Sequence, residues 1–193
     1  MKMVNLAIFA SGAGSNAKKI LEYFSNNTGI EVVKIITNNP DAYVLEIAKQ
    51  FNIESIIISK SVLKSEDFIK MLNDHKIDLI VLAGFLLKIP KELIEGFRGD
   101  IINIHPALLP KYGGKGMYGM HVHQAVKDAN ETETGITIHY VNENYDEGKV
   151  ILQEQVNIQN NDTIEMIANK VHQLEYQYFA PTIEKICKLI QNN

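Results

Sequence analysis

Ile101-Ile102-Asn103-Ile104-His105-Pro106 sets an amide and an imidazole two residues apart inside an apolar run. An imidazole moves protons near neutral pH, and a side-chain amide N–H stabilises a developing oxyanion. Side chains at i and i+2 of a strand point the same way. Asn103 and His105 are therefore expected on one face, with Ile102 and Ile104 packing on the other. Proline cannot continue a central strand, which puts His105 at the strand's carboxyl end, where open α/β sheets bind ligands. Asp146, in the polar stretch 142–148, offers a carboxylate to orient the imidazole, stabilise its cation or order a water. No serine or cysteine adjoins these residues in sequence, so direct attack by a substrate amine on a carbonyl fits better than a covalent intermediate.

A second chemical signal lies near the start. Ser11-Gly12-Ala13-Gly14-Ser15-Asn16 joins an apolar run to a helical pattern. Strand, glycine-rich turn and helix form an arrangement that holds phosphate, because backbone N–H groups approach the anion and the helix dipole favours it. Gly12-x-Gly14-x-x-Ala17 fits the loose dinucleotide fingerprint, but the second strand ends in Thr37-Asn38-Asn39-Pro40, with no acid for a ribose diol. A phosphate monoester is the better expectation than a nicotinamide dinucleotide.

Taken singly, each polar residue has a bland explanation. A strand histidine is usually satisfied by backbone, a loop acid such as Asp146 is usually solvated, and Glu175 and Tyr176 suit an exposed helical face. His121 and His123 have an HxH spacing, but lack carboxylate or thiol companions, so helix-start polar residues are expected and no metal. His139 alternates onto the same side as Thr137.

The elements that position these groups follow from periodicity. Strands are expected at 4–10, 32–37, 56–59, 78–83 and 101–105, with helices at 17–24, 42–51, 65–75 and 91–97. This βαβ alternation implies a parallel sheet with helices on both faces. After His105 comes an aperiodic loop, then a helix at 122–129. Hairpin-like strands at 134–141 and 149–157 form an antiparallel edge. Asp162 is expected to cap a closing helix at 164–191. The fold class is α/β, an open and mostly parallel twisted sheet, with 1–193 as a single domain.

A net charge of −4 argues against a nucleic-acid partner bound by bulk charge. The one cysteine, Cys187, excludes an internal disulfide and suits a buried thiol in an apolar helix. No apolar run reaches membrane-spanning length, and the first strand begins almost at once, so a cytoplasmic location is expected.

Four motifs then appear in order: Ser-Gly-Ala-Gly-Ser-Asn at 11–16, Leu-Ala-Gly-Phe at 82–85, Asn-Ile-His-Pro-Ala-Leu-Leu-Pro at 103–110, and Gly-Ile-Thr-Ile-His-Tyr-Val-Asn-Glu-Asn-Tyr-Asp-Glu-Gly at 135–148. With them the chain resembles, end to end, the folate-dependent formyltransferases of Rossmann-like fold, and within them the phosphoribosylglycinamide formyltransferases of purine synthesis. The resemblance implies that the amine of glycinamide ribonucleotide attacks the formyl carbon of 10-formyltetrahydrofolate, the co-substrate. Asn103 would stabilise the oxyanion, His105 would act as general acid, and Asp146 would keep the histidine charged and hold a water. It also implies that Gly14, Ser15 and Asn16 hold the phosphate, and that His172, Gln173, Leu174 and Glu175 face the ribose and glycinamide. The folate pocket maps to Leu86, Leu87, Lys88, Ile89, Asn103, Asn142, Glu143, Asn144, Tyr145 and Asp146. Residues 1–100 become a ribonucleotide half and 101–193 a folate and catalytic half, in a monomer or homodimer.

Three departures stand out. Leu86-Leu87 replaces a frequent Met-Arg, Ser65 stands where an arginine often approaches folate (with Lys64 beside it), and the loop 112–120 is longer than usual. A deformylase-like hydrolase, with water as acceptor, is the alternative reading. A non-catalytic nucleotide-binding module is another. A transfer-RNA formylating role is disfavoured by the acidic charge and by the lack of room for an RNA-binding domain.

Overall fold

Each apolar strand in the first half of the chain divides its side chains between two cores. A computed structural model describes residues 2–192. The strands β1 (Val4–Phe9), β2 (Ile30–Thr37), β3 (Glu54–Ile57), β4 (Ile77–Leu82) and β5 (Asp100–His105) alternate with α1 (Ser15–Phe24), α2 (Val44–Gln50), α3 (Glu66–Asp74) and α4 (Lys91–Gly96). Leu6, Ile8, Leu79 and Val81 point to one core, whereas Ala7, Phe9, Ile80 and Leu82 point to the other. Burial on both faces is what a run such as Ile77-Asp78-Leu79-Ile80-Val81-Leu82 requires of a parallel sheet.

The rest of the chain adds α5 (Met120–Asp128), β6 (Glu133–Tyr140), β7 (Val150–Asn157) and α6 (Ile164–Asn192). The sheet runs β3-β2-β1-β4-β5-β6-β7. Its first five strands are parallel, β6 is antiparallel to β5, and β7 is antiparallel to β6. The expected parallel sheet with an antiparallel edge is what forms. Strand order reverses between β1 and β4, which opens a crevice at their carboxyl ends.

The parity expected of β5 holds. Ile102 and Ile104 lie in the first core, while Ile101 lies in the second, on the face shared by Asn103 and His105. Helix α6 packs on the first core through Val171, Phe179, Ile183 and Ile186. Its cap corrects the expectation. Thr163 Oγ1, not Asp162, accepts the Met166 N–H at 3.2 Å. Asp162 is drawn away because Oδ2 accepts from Gln159 N at 2.8 Å and pairs with Lys170. Cys187 is fully buried, as expected, and burial pushes its thiol up to about 12. Among the described residues no helix is long and apolar enough to cross a membrane.

Candidate active site

The loops after β1 and β4 meet at the reversal of strand order. Gly14 adopts φ +71°, and a Cβ there would sit 2.7 Å from Val44 Cγ2, so both conformation and space demand glycine. Helix α1 begins at the next residue, and its first N–H groups lack intrahelical partners. Ser11 fixes this turn in place. Its Oγ donates to Asn38 Oδ1 at 2.5 Å and accepts the Leu86 N–H at 2.9 Å. The Ser11 N–H donates to Gly84 O at 3.0 Å, which binds the two loops into one unit. Asn38 and Asn39, at the end of β2 where a dinucleotide site places its acid, turn onto Ser11 instead.

The second group gathers on β5 and β6. Asn103 pairs in register with Leu82 on one side and His139 on the other. The segment 142–148 then folds back over this face. Gly148 permits it, because a Cβ there would overlap Tyr140 O at 1.6 Å. Asp146, at φ +56°, is thereby carried onto β5. Its Oδ2 lies 3.6 Å from His105 Nδ1, and its Oδ1 lies 3.5 Å from Asn103 Nδ2 and 3.7 Å from His139 Nε2. Gly114 N–H donates to Oδ2 at 2.9 Å.

Backbone acceptors assign the histidine protons. His105 Nε2–H donates to Tyr112 O at 2.7 Å, leaving Nδ1 to face Asp146. His139 Nδ1–H donates to Tyr140 O at 2.8 Å, so its Nε2 accepts from Asn103 Nδ2 at 3.1 Å. Burial pushes the His105 imidazole below its ordinary pKa, against the opposing pull of Asp146 and the Tyr112 carbonyl. Burial acts on Asp146 in the other direction, but the attraction of a protonated His105 and the Gly114 N–H hold its carboxyl below the usual value. Asp146 is therefore an anion at neutral pH, beside an imidazole with one vacant nitrogen.

Both groups line one cavity of about 670 Å³. The lining includes Gly14, Ser15 and Asn16 with His172 and Glu175 of α6, and 86–89 with Asn142, Asn144 and Tyr145. Asn103, His105 and Asp146 line the same cavity. Glu175 is only 6% exposed, although a carboxylate on a helix usually faces water. It continues the apolar stripe of Val171 and Phe179, and its Oε2 accepts from Asn16 Nδ2 at 2.9 Å. Burial raises its carboxyl, and Asn16 and His172 offset part of the rise.

Three residues of the expected set do not line the cavity. Glu143 is exposed at the outer edge of its loop, and Gln173 is turned outward by the helical period. Leu174 packs against the first core. Ser65 caps α3, accepting the Phe68 N–H at 3.3 Å, and neither it nor Lys64 lines the cavity. Leu87 lines the cavity and also packs against the second core. The long loop contributes Gly114 to Gly119 to the wall.

The formyl transferase family model matches residues 4–183. The chain belongs to the formyl transferase family. Among formyl transferases, a phosphoribosylglycinamide formyltransferase of Bacillus subtilis is 34% identical over 97% of this chain and 96% of its own. The chloroplastic enzyme of that name from Arabidopsis thaliana is 38% identical, and the chain spans 95% of itself but only 65% of that relative's length. The crystal structure of phosphoribosylglycinamide formyltransferase from Anaplasma phagocytophilum superposes with a TM-score of 0.86 at 29% identity, covering 97% of this chain and 88% of the other.

Four residues that meet this group or line its cavity were not assigned to the site from the sequence. His139 was legible, since strand alternation puts it beside Thr137, and antiparallel pairing then sets it against Asn103. Tyr112 and Gly114 act through backbone atoms, which leave no signature in residue type. His123, read as a helix-start polar residue, is 2% exposed and lines the cavity. Burial, together with His172 and His105, holds its pKa down at about 4.

Proposed function

We propose that this protein transfers the formyl group of 10-formyltetrahydrofolate to the amine of glycinamide ribonucleotide, a step of purine synthesis. The observation that carries the reading is the meeting of Asn103, His105 and Asp146 in a cavity that also contains a glycine turn at a helix start. Membership of the formyl transferase family and the names of its relatives support the same chemistry.

In this reading the phosphate rests on the N–H groups of Gly14, Ser15 and Asn16, with the carboxylate of Glu175 toward the ribose and glycinamide. The pterin occupies the arm formed by 86–89 and the loop carrying Asn142, Asn144 and Tyr145. The amine attacks the formyl carbon and forms a tetrahedral intermediate with an oxyanion, which a side-chain N–H of Asn103 stabilises. The amine nitrogen gives up a proton and N10 of the folate gains one as the carbon–nitrogen bond breaks. His105 carries a proton at Nδ1, the nitrogen left free by Tyr112, and Asp146 favours its cation. The two binding arms draw on both halves of the chain, since 86–89 belong to the first and His172 and Glu175 to the second. The acceptor and donor are both small molecules.

A coupled assay of the purified protein, omitting each substrate in turn, decides the matter. The expected result is tetrahydrofolate release only when glycinamide ribonucleotide is present. Release without the ribonucleotide would establish the hydrolase instead, and release in neither case would reject both.

A further inference from the structure

The turn that follows Leu109 touches both ends of the His105–Asp146 pair. Tyr112 O accepts from His105 Nε2 at 2.7 Å, and two residues later Gly114 N donates to Asp146 Oδ2 at 2.9 Å. A carbonyl is thus set against the imidazole and an amide N–H against the carboxylate. Gly113 between them is closely packed, for a Cβ there would lie 2.6 Å from Leu109 Cδ2 and 3.3 Å from Asp146 Cβ.

Tyr112 itself sits at φ +57°, in the left-handed region. A residue with a Cβ pays to be there, by about 1 kcal/mol or more, so something must hold it. The holding group is Glu131. Tyr112 Oη donates to Glu131 Oε1 at 2.8 Å, and Lys111 Nζ reaches the same oxygen at 2.8 Å. Glu131 lies in the short connection between α5 and β6, and its N–H donates to Val126 O of α5 at 3.3 Å. The residue after next begins β6, the strand that carries His139. Glu131 therefore ties the turn to the same strand that orients Asn103.

We propose that Glu131 is a positioning residue: by holding the phenol of Tyr112 it keeps the left-handed backbone whose carbonyl fixes His105 with its proton on Nε2 and its vacant Nδ1 toward Asp146. The proposal rests on the reading of His105 as the proton carrier. The ionisable groups gathered around that imidazole are Asp146 from the folded-back loop, His139 from β6 and His123 from α5, and only the first is an anion. Without its anchor, Tyr112 relaxes to an ordinary backbone conformation and its carbonyl leaves the imidazole. His105 then loses its fixed tautomer and one of the two interactions that support its proton.

The test compares Glu131→Ala, Glu131→Gln, Tyr112→Phe and the Glu131→Ala/Tyr112→Phe double variant. The expected result for the alanine and phenylalanine variants is a loss of kcat of about tenfold to a hundredfold, the scale of a small misplacement of a reacting group, with KM little changed. Glu131→Gln keeps an acceptor for the phenol and should retain most activity. The double variant should be no worse than the worse single one, because both remove the same link. Nitrogen-15 NMR of the His105 ring, recorded without substrates, should show one protonated nitrogen in the parent protein and averaging of the two in Glu131→Ala. An unchanged tautomer with unchanged kcat, accompanied only by a lower Tm, would make Glu131 a mere loop anchor and overturn the proposal. Additive losses in the double variant would do the same. If the parent protein transfers no formyl group, the functional reading fails, while the NMR measurement still decides the role of Glu131.

Discussion

His105 Nδ1 faces Asp146 Oδ2 across 3.6 Å, with the opposite ring nitrogen already committed to a backbone carbonyl. The carboxylate therefore acts on the one nitrogen still free to take a proton. Asp146→Asn should leave the fold intact and lower kcat by about 10²–10⁴-fold, the usual worth of a positioned proton-transfer group. The pH profile gives the sharper check. Asp146 raises the proton affinity of His105, so its neutralisation lets burial depress the imidazole further. The alkaline limb of kcat, set by loss of the proton from His105, should then move to lower pH. A limb that stays in place would mean that the two groups are not coupled in the reaction.

Gly14 carries a different kind of constraint. Gly14→Ala asks an alanine to take φ +71° and to sit 2.7 Å from Val44 Cγ2. The expected cost is about 1–3 kcal/mol of stability, read as a lower denaturation midpoint. Because the same turn opens α1 toward the cavity, KM for the ribonucleotide should rise about tenfold, the loss of one good hydrogen bond to a charged group. KM for the folate should move much less. Equal effects on the two KM values would remove the phosphate from this turn.

How far the chain could be read in advance depended on the range of the interaction. Asn103 and His105 were placed on one face by the two-residue period alone, and Gly14 was marked by its turn. Asp146 was expected to work with them from its carboxylate chemistry and then from resemblance, but its route was not legible: it needs the antiparallel register of β5 with β6 and the bare Cα of Gly148 against Tyr140. His123 was missed because burial, which alters its chemistry, depends on elements distant in sequence. Asp162 was misread as a cap because two partners compete for its carboxylate, and Lys170 is one turn beyond the position that a cap reading inspects.

His123 links the site to stability. Its folded pKa of about 4 lies below the ordinary value for an unfolded histidine, about 6.5. The folded state thus favours the neutral ring. The associated stability is fully present above pH 6.5 and is lost as pH falls toward 4, by at most about 3 kcal/mol. Urea denaturation followed from pH 7.5 to 4.5 should show this decline, together with a contribution of the same sign from His105. His123→Gln should flatten the curve over that window. An unaltered slope would show that the ring of His123 titrates normally in the folded protein.

Glu175 should show the opposite sign, and a conflict between stability and function. It is a carboxyl buried in the stripe between Val171 and Phe179, with its pKa raised by burial. A raised carboxyl favours the protonated form in the fold. Its contribution is therefore present below the unfolded value, about 4.3, and is lost as pH rises through the folded one. Glu175→Gln removes the cost of burying the charge while a side-chain amide still bonds Asn16, whose Oδ1 is buried without a partner. The variant should be more stable than the parent at pH 7.5, by about 1 kcal/mol, and equal to it below pH 4. Under the proposed function its KM for the ribonucleotide should nonetheless rise, because the carboxyl assigned to the ribose and glycinamide is gone. A buried carboxyl kept against the interest of the fold is what a binding role predicts. If Glu175→Gln gains stability and binds the ribonucleotide as tightly as the parent, the carboxylate has no part in recognition, and the α6 wall of this cavity serves packing alone.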